Sequence, residues 1–274
     1  MSLLEVRDLR VSFPGRGWRA KPVEVLHGVS LDVAEGETLG LVGESGSGKT
    51  TIGRAVLGLA PTSGGEIRFA GTSLVGVSVR ERRRLARDIQ VVFQDPYTSL
   101  NPAMTVGDIL AEPLVIQGAT AKDARSRVRT LLDQVGLPSD AIERLPREFS
   151  GGQRQRVAIA RALAPRPRLI VCDEPVSALD LSTQTRVLEL FLEIQRATGV
   201  AYLFVSHDLS VVRHISHRVA VLYRGDLVEE GSAEHVTSTP DHPYTKRLLL
   251  AAPVADPARQ RARREERQRV LAAS

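Results

Sequence analysis

"TLGLV" (38–42) runs straight into "GESGSGKT" (43–50), and the reading of this junction decides the fold. The first segment lacks polar alternation, as strands do when both faces of a parallel sheet are covered. The second matches G-x-x-x-x-G-K-[ST] in full. A helix-like run then extends from about Gly48 to Leu59, where Pro61 and the "TSGGE" turn stop it. In this strand–loop–helix order the glycines let backbone wrap an anion without Cβ clashes, and helix-start N–H groups face it. Lys49 is placed to reach the outer phosphates of a nucleotide and Thr50 to offer its hydroxyl to Mg²⁺. The expected contacts are Gly43, Glu44, Ser45, Gly46, Ser47, Gly48, Lys49, Thr50 and Thr51. Among 37 basic residues lysine occurs only as Lys21, Lys49, Lys122 and Lys246. It stands in this loop where a compact ammonium fits a phosphate cradle better than a planar guanidinium.

Two further apolar runs also end in reactive side chains. "LIVC" (169–172) leads into Asp173-Glu174, and "AYLFV" (201–205) leads into Ser206-His207-Asp208. Ligand crevices of open parallel sheets lie beyond the carboxyl ends of the strands, so the three sets are predicted to converge. Asp173 is the expected Mg²⁺ carboxylate, and Glu174 can polarise a water in line with a γ-phosphate. An isolated Asp-Glu pair could equally cap a solvated helix. His207 is expected to touch the γ-phosphate or orient the water, its alternative being a satisfied loop histidine. Gln94, in "VVFQDPYTSLNP", leaves a strand-like run for a proline-interrupted loop. Its neutral amide can hold Mg²⁺ or water and release it; the alternative is a plain surface glutamine.

The whole chain suits that core. Its 274 residues fit one large α/β domain, or a core with a smaller lobe and a tail. A hydrophobic fraction of 42% supports a sizeable interior. The single Cys172 excludes an internal disulfide or a metal–thiolate cluster built from this chain alone. No apolar run approaches the roughly 18–20 residues of a membrane span, and "MSLLEVRDLR" lacks the layout of an export signal, so a cytosolic chain is expected. The net charge of +5 is concentrated in "RQRARREERQR" (259–269). A nucleic-acid or lipid contact competes there with a solvated helical tail, which the lack of interleaved aromatics favours. "LLEVRDLRVSF" (3–13) and "VSLDVAEGETLGLVG" (29–43) read as strand-like, the second turning at Glu35-Gly36-Glu37. Residues Pro96–Leu163 read as mainly helical with breaks at Pro102, Pro113, Gly118 and Pro138, and strands alternate with helices again from Leu169.

Within that helical stretch, "PREFSGGQRQRVAIARALA" (146–164) poses a second anion-binding pattern. Ser150 is a natural N-cap, Gly151 and Gly152 leave the backbone bare, and Val157, Ile159, Ala160 and Leu163 form an apolar stripe. The element lies away from the strand ends. It is therefore expected to meet a phosphate held by another copy rather than one in its own site.

Together these motifs resemble the ATP-binding subunit of an ABC transporter over about Leu3 to Pro257. "GESGSGKT" matches the family's phosphate loop, Gln94 its Q-loop and "FSGGQ" its signature, with Phe149 where leucine is commonest. "LIVCDE" matches the magnesium strand with its catalytic glutamate, "SALD" (177–180) the D-loop, and His207 the switch histidine. The resemblance implies an α/β fold: a P-loop NTPase core with a mixed, largely parallel sheet and an inserted helical subdomain. It divides the chain into core (1–95), helical signature subdomain (96–164), core (165–235) and a C-terminal extension with a basic tail (236–274). It also implies ATP and Mg²⁺, and a head-to-tail dimer in which Ser150, Gly151, Gly152 and Gln153, with Asp180, face the nucleotide on the partner's loop. Thr50, Gln94 and Asp173 are the implied metal residues, and Phe13 the implied adenine-stacking aromatic, with Trp18 its rival.

Within the family, "LVGESGSGKTT", "QDPYTSLNPAMTVGDILAEPL" and "HPYTKRLLLAAPVADP" look like the subgroup serving oligopeptide, dipeptide and nickel importers. Many members continue into a cysteine-containing tail, which this chain lacks, so no cluster is carried over. The implied partners are two transmembrane permeases, a second ATPase subunit and, indirectly, an extracytoplasmic binding protein, at the cytoplasmic face of the membrane; no nucleic acid is expected. Two other classes compete. A soluble ABC-type ATPase of the ribosome or DNA would be expected to carry tandem motif sets or long heptads. A small-molecule kinase would leave "SGGQ" and "SALD" without a role.

Overall fold

A computed structural model of the chain describes residues 2–15, 17 and 21–251. Strands β1 (Ser2–Phe13), β2 (Val23–Ala34) and β3 (Thr38–Val42) precede helix α1 (Lys49–Leu57). Next come β4 (Gly64–Phe69), β5 (Thr72–Ser73), α2 (Val79–Leu85) and β6 (Ile89–Val92). The helical stretch holds α3 (Pro96–Ser99), α4 (Val106–Ile116), α5 (Ala121–Gln134), two 3₁₀ turns and α6 (Gly151–Leu163). The chain then returns to the core with β7 (Leu169–Asp173), α7 (Leu181–Thr198), β8 (Ala201–Val205), α8 (Leu209–Ile215), β9 (Arg218–Tyr223) and β10 (Asp226–Ser232). Helices α9 (Ala233–Ser238) and α10 (Pro243–Ala251) follow. Trp18 and the Arg-rich segment 259–269 lie outside the described residues.

Two sheets result. An antiparallel one has the order β2-β1-β4-β5, and a six-stranded one the order β10-β9-β3-β8-β7-β6. In the second, β9, β3, β8, β7 and β6 are parallel and only β10 runs against its neighbour. The segment 29–43 thus divides at its turn, with β2 in one sheet and β3 in the other. Their burial explains the division. Strand β2 alternates exposed and buried positions in its second half, whereas all of β3 is buried. Arg218 on β9 stitches the sheets together, pairing with Glu37 (3.0 Å), Asp32 of β2 (3.6 Å) and Glu230.

The central strands send alternate residues to two apolar clusters, which is why they read as unbroken apolar runs. Leu39, Leu41, Leu169, Val171, Leu203 and Val205 face β1, β2, β4 and α1. Val42, Ile170, Cys172, Tyr202 and Phe204 face the helices α4 to α8. Phe191 of α7 packs edge-on against Tyr202 (5.4 Å between centroids) and Phe204 (5.7 Å), a contact whose full burial contributes about 2–3 kcal/mol. The helical stretch shares this second cluster, so its packing is continuous with the sheet.

One expected break is absent. Helix α4 runs through Pro113, which stands in its final turns. The ring removes the N–H that would donate to the Ile109 carbonyl and crowds the preceding turn, yet α4 continues to Ile116, with Val106, Ile109 and Leu110 buried against the core. The other expected stops hold. Pro102, Gly118 and Pro138 all fall between helices, and Gly58 ends α1 in the left-handed conformation at φ 72°.

Candidate active site

Strand β3 delivers the phosphate loop, and α1 receives it. Gly43 sits at φ 154° with its α-carbon against the β9 carbonyl of Leu222, where any Cβ would collide. Gly48 turns the chain into α1 at φ 108°, packed on Leu26 and Leu222. Lys49 is only 4% exposed, and its Nζ donates to the carbonyls of Gly43 (2.7 Å) and Glu44 (2.8 Å). Burial lowers its pKa, while Glu174, Asp173 and Glu44 oppose the shift by favouring the charged form. Ser47 Oγ is buried without a hydrogen-bond partner among the described residues. The glycine-bare loop opening onto the start of α1, with the Lys49 ammonium at its base, fits a phosphate group.

The neighbouring strands bring the other predicted groups to the same place. Asp173, last residue of β7, accepts from Thr50 Oγ1 at 2.8 Å. Burial pushes its carboxyl pKa up, partly offset by that hydrogen bond and by Arg54 and Lys49. This hydroxyl–carboxylate pair, with the amide oxygen of Gln94, is a hard all-oxygen donor set of the kind Mg²⁺ prefers. Glu174 follows at φ 48°, a left-handed conformation that costs a non-glycine residue energy, and its N–H donates to Val205 O of β8 at 3.0 Å. Its Oε2 lies 2.8 Å from His207 Nδ1 and 3.5 Å from Gln94 Nε2. Ser45, Gly46, Gly48, Lys49, Thr50, Thr51, Gln94, Glu174, His207 and Val25 line one cleft of about 560 Å³. The convergence read from the three strand ends is thus realised.

Sequence reasoning passed over Val25 because it precedes the strand-like segment 29–43, from which Gly28 separates it. It also missed Tyr244, whose Oη accepts from the Glu44 backbone N–H at 2.9 Å across 200 residues of chain. Phe13 ends β1, is 36% exposed and does not line the cleft.

The signature stands elsewhere. Ser150 caps α6, its Oγ accepting from Gln153 N at 3.3 Å, while Gln153 Oε1 accepts from Ser150 N at 2.9 Å. None of Ser150, Gly151, Gly152 and Gln153 lines the cleft, and Ser150 is exposed. Asp180 caps α7, accepting from Thr183 N and Ser182 Oγ; these bonds hold its carboxyl far below the usual range. It too is exposed and outside the cleft.

A phosphate loop, an acidic strand end and an outward-facing signature helix on one α/β core define an ATP-binding cassette. The model of the ABC transporter family matches residues 26–177, and the chain belongs to that family of ATPases. It is 51% identical over 267 residues to the glutathione import ATP-binding protein GsiA of Shigella boydii serotype 4 (strain Sb227). That match covers 96% of this chain and 43% of the relative, so the chain spans less than half the length of the curated relatives it matches. Among solved structures, cbiO1 of Clostridium perfringens, part of the ABC transporter complex cbiONQ, is similar at 25% identity and a TM-score of 0.77, covering 87% of this chain and 91% of that one. The dimeric, post-hydrolysis ATP-binding cassette MJ0796 with ADP and Pi is similar at 29% identity and a TM-score of 0.75, covering 84% and 98%. No described helix is long and apolar enough to cross a membrane.

Proposed function

We propose that the chain hydrolyses ATP between two cassettes and so energises import of small peptides, glutathione or short oligopeptides foremost, through membrane permeases. The observation that carries the ATPase reading is the split between a cleft lined by phosphate-loop, Glu174 and His207 side chains and a signature helix outside it. Lys49 and the loop amides hold the phosphates, with Thr50, Asp173 and Gln94 as the residues for Mg²⁺. When bound, that ion supplies charge neutralisation at the β- and γ-phosphate oxygens. Glu174 accepts the proton of the attacking water, and His207 steers the carboxylate and meets the γ-phosphate. The signature residues Ser150, Gly151, Gly152 and Gln153, with Asp180, close over the nucleotide of a second cassette. Phe13 is assigned to stack on adenine on the family resemblance alone. The core 1–95 and 165–235, the helical subdomain 96–164 and the extension from 236 then act as one cassette.

Import of peptides rests on the 51% identity to a glutathione import protein and on the subgroup stretches after Gln94 and at His242. The permeases, a second cassette and a binding protein on the far side of the membrane are partners of that reading, which sets this chain peripherally on the cytoplasmic face. The test is reconstitution with candidate permeases in proteoliposomes: labelled glutathione or a short oligopeptide should accumulate only with ATP and with Glu174 intact. Uptake independent of Glu174 would overturn the coupling, and ATP hydrolysis without transport of any peptide would overturn the cargo.

A further inference from the structure

The stretch "HPYT" lies well beyond the family match, yet its tyrosine reaches the phosphate loop. Tyr244 is 3% exposed on α10, and its ring stacks on Tyr223 at 4.2 Å between centroids. Tyr223 ends β9, which pairs with β3 through Val42 and Val221, so the ring rests against the strand pair that launches the loop. Its hydroxyl takes the Glu44 N–H at 2.9 Å.

That N–H belongs to the same peptide unit as the Gly43 carbonyl, which accepts from Lys49 Nζ at 2.7 Å. One peptide plane is therefore held at both ends, by the tyrosine on its N–H side and by the lysine on its C=O side. A planar trans unit cannot rotate about one bond without moving the other. The helix start is fixed as well. Glu229 of β10 accepts from the backbone N–H of Asp241 (2.7 Å) and His242 (3.2 Å), and His242 Nδ1 accepts from Tyr244 N at 3.2 Å.

We propose that Tyr244 is a positioning residue for nucleotide binding: its hydroxyl fixes the Gly43–Glu44 peptide and thereby pre-sets Lys49 and the mouth of the phosphate loop. This rests on the cleft being the ATP site. The binding gain comes from preorganisation, since a loop already in its bound shape loses less freedom when the phosphates arrive. The C-terminal extension is in that sense part of the nucleotide site, and whatever moves α10 alters ATP affinity.

Tyr244→Phe tests this, because it keeps the ring and its stacking and removes only the acceptor. Thr245→Val is the companion: Thr245 is buried in the same helix, and its Oγ1 has no hydrogen-bond partner among the described residues, so no side-chain hydrogen bond ties it to the loop. Binding of a fluorescent ATP analogue with Mg²⁺ and the steady-state ATPase rate of the whole chain are measured for each. Tyr244→Phe is expected to raise Kd and KM about five- to tenfold with kcat within about twofold, as a lost bond to a half-buried donor implies, while Thr245→Val matches the wild type. Unchanged Kd and KM in Tyr244→Phe, or equal losses in both variants, would overturn the proposal. If Tyr244→Phe does not fold, hydrogen exchange on the wild type decides, since a Glu44 amide exchanging at the rate of an open loop also overturns it. A wild type that fails to bind the analogue would instead strike the nucleotide reading itself.

Discussion

The phosphate loop and the signature turn are both glycine-bearing starts of helices, but their surroundings are opposite. At the first, strand ends on either side wall the backbone in, Lys49 is buried on loop carbonyls, and Asp173, Glu174 and His207 stand within hydrogen-bonding reach of one another or of the loop. At the second, Ser150 and Gln153 satisfy each other in a capping box and the turn faces solvent. A helix start offers its free amides to an anion, whereas a capping box satisfies two donors within the turn itself. Under the proposed function the first turn grips the nucleotide and the second closes over one held by another cassette.

The severest way to break that contrast is at Glu174. Glu174→Gln should cut ATP hydrolysis by about a thousandfold with binding retained, and an ATP-bound dimer should accumulate on size-exclusion with light scattering. Hydrolysis at the wild-type rate would remove the role given to this carboxylate. Lys49→Ala comes next. It should weaken ATP binding about a hundredfold, read by equilibrium titration, because a charge-assisted contact to phosphate is lost.

Ser150→Arg sharpens the other half. A single chain should bind ATP as before, while turnover falls about ten- to a hundredfold. Mixing it with Lys49→Ala should restore about a quarter of the wild-type rate, because half the random dimers then hold one complete site. No recovery on mixing would argue that each chain completes its own site.

The smallest effect concerns stability. Burial raises the Asp173 carboxyl pKa in the folded chain, so the ionised form is disfavoured there; the penalty is absent below the unfolded value, grows as pH rises past it and is complete above the folded value. Asp173→Asn removes that penalty and keeps an Oδ1 acceptor for Thr50. The nucleotide-free chain should melt higher at pH 7, by about 2 °C at most because the group is only half-buried, and the gap should close below about pH 4. Stabilisation by Mg²⁺ with ATP should be lost in the same variant.

Much of this was legible in the sequence, for identifiable reasons. Residues 38–50 carry a run, a loop and a helix start whose meaning is local, and Asp173 and His207 follow equally plain strands. Ser150 announced its cap because capping is decided within four residues. Pro113 misled because the burial of Val106, Ile109 and Leu110 holds α4 together despite the lost hydrogen bond, and that packing is not visible in the local pattern. The division of 29–43 between two sheets depended on what each strand packs against, which the local pattern only hints at. Tyr244 was invisible in its function, since its partner amide lies 200 residues away and nothing in "HPYT" names it.

Gly152 carries a last consequence. Its α-carbon approaches Thr183 so closely that any Cβ would strike the threonine methyl group, which leaves the first turns of α6 and α7 interlocked. Asp180 begins α7 one turn away from that contact. Like two teeth of one key, the glycine turn and the aspartate are cut into a common edge, so in the proposed dimer they would meet the second cassette together. Engagement would then be all or nothing in that proposed dimer.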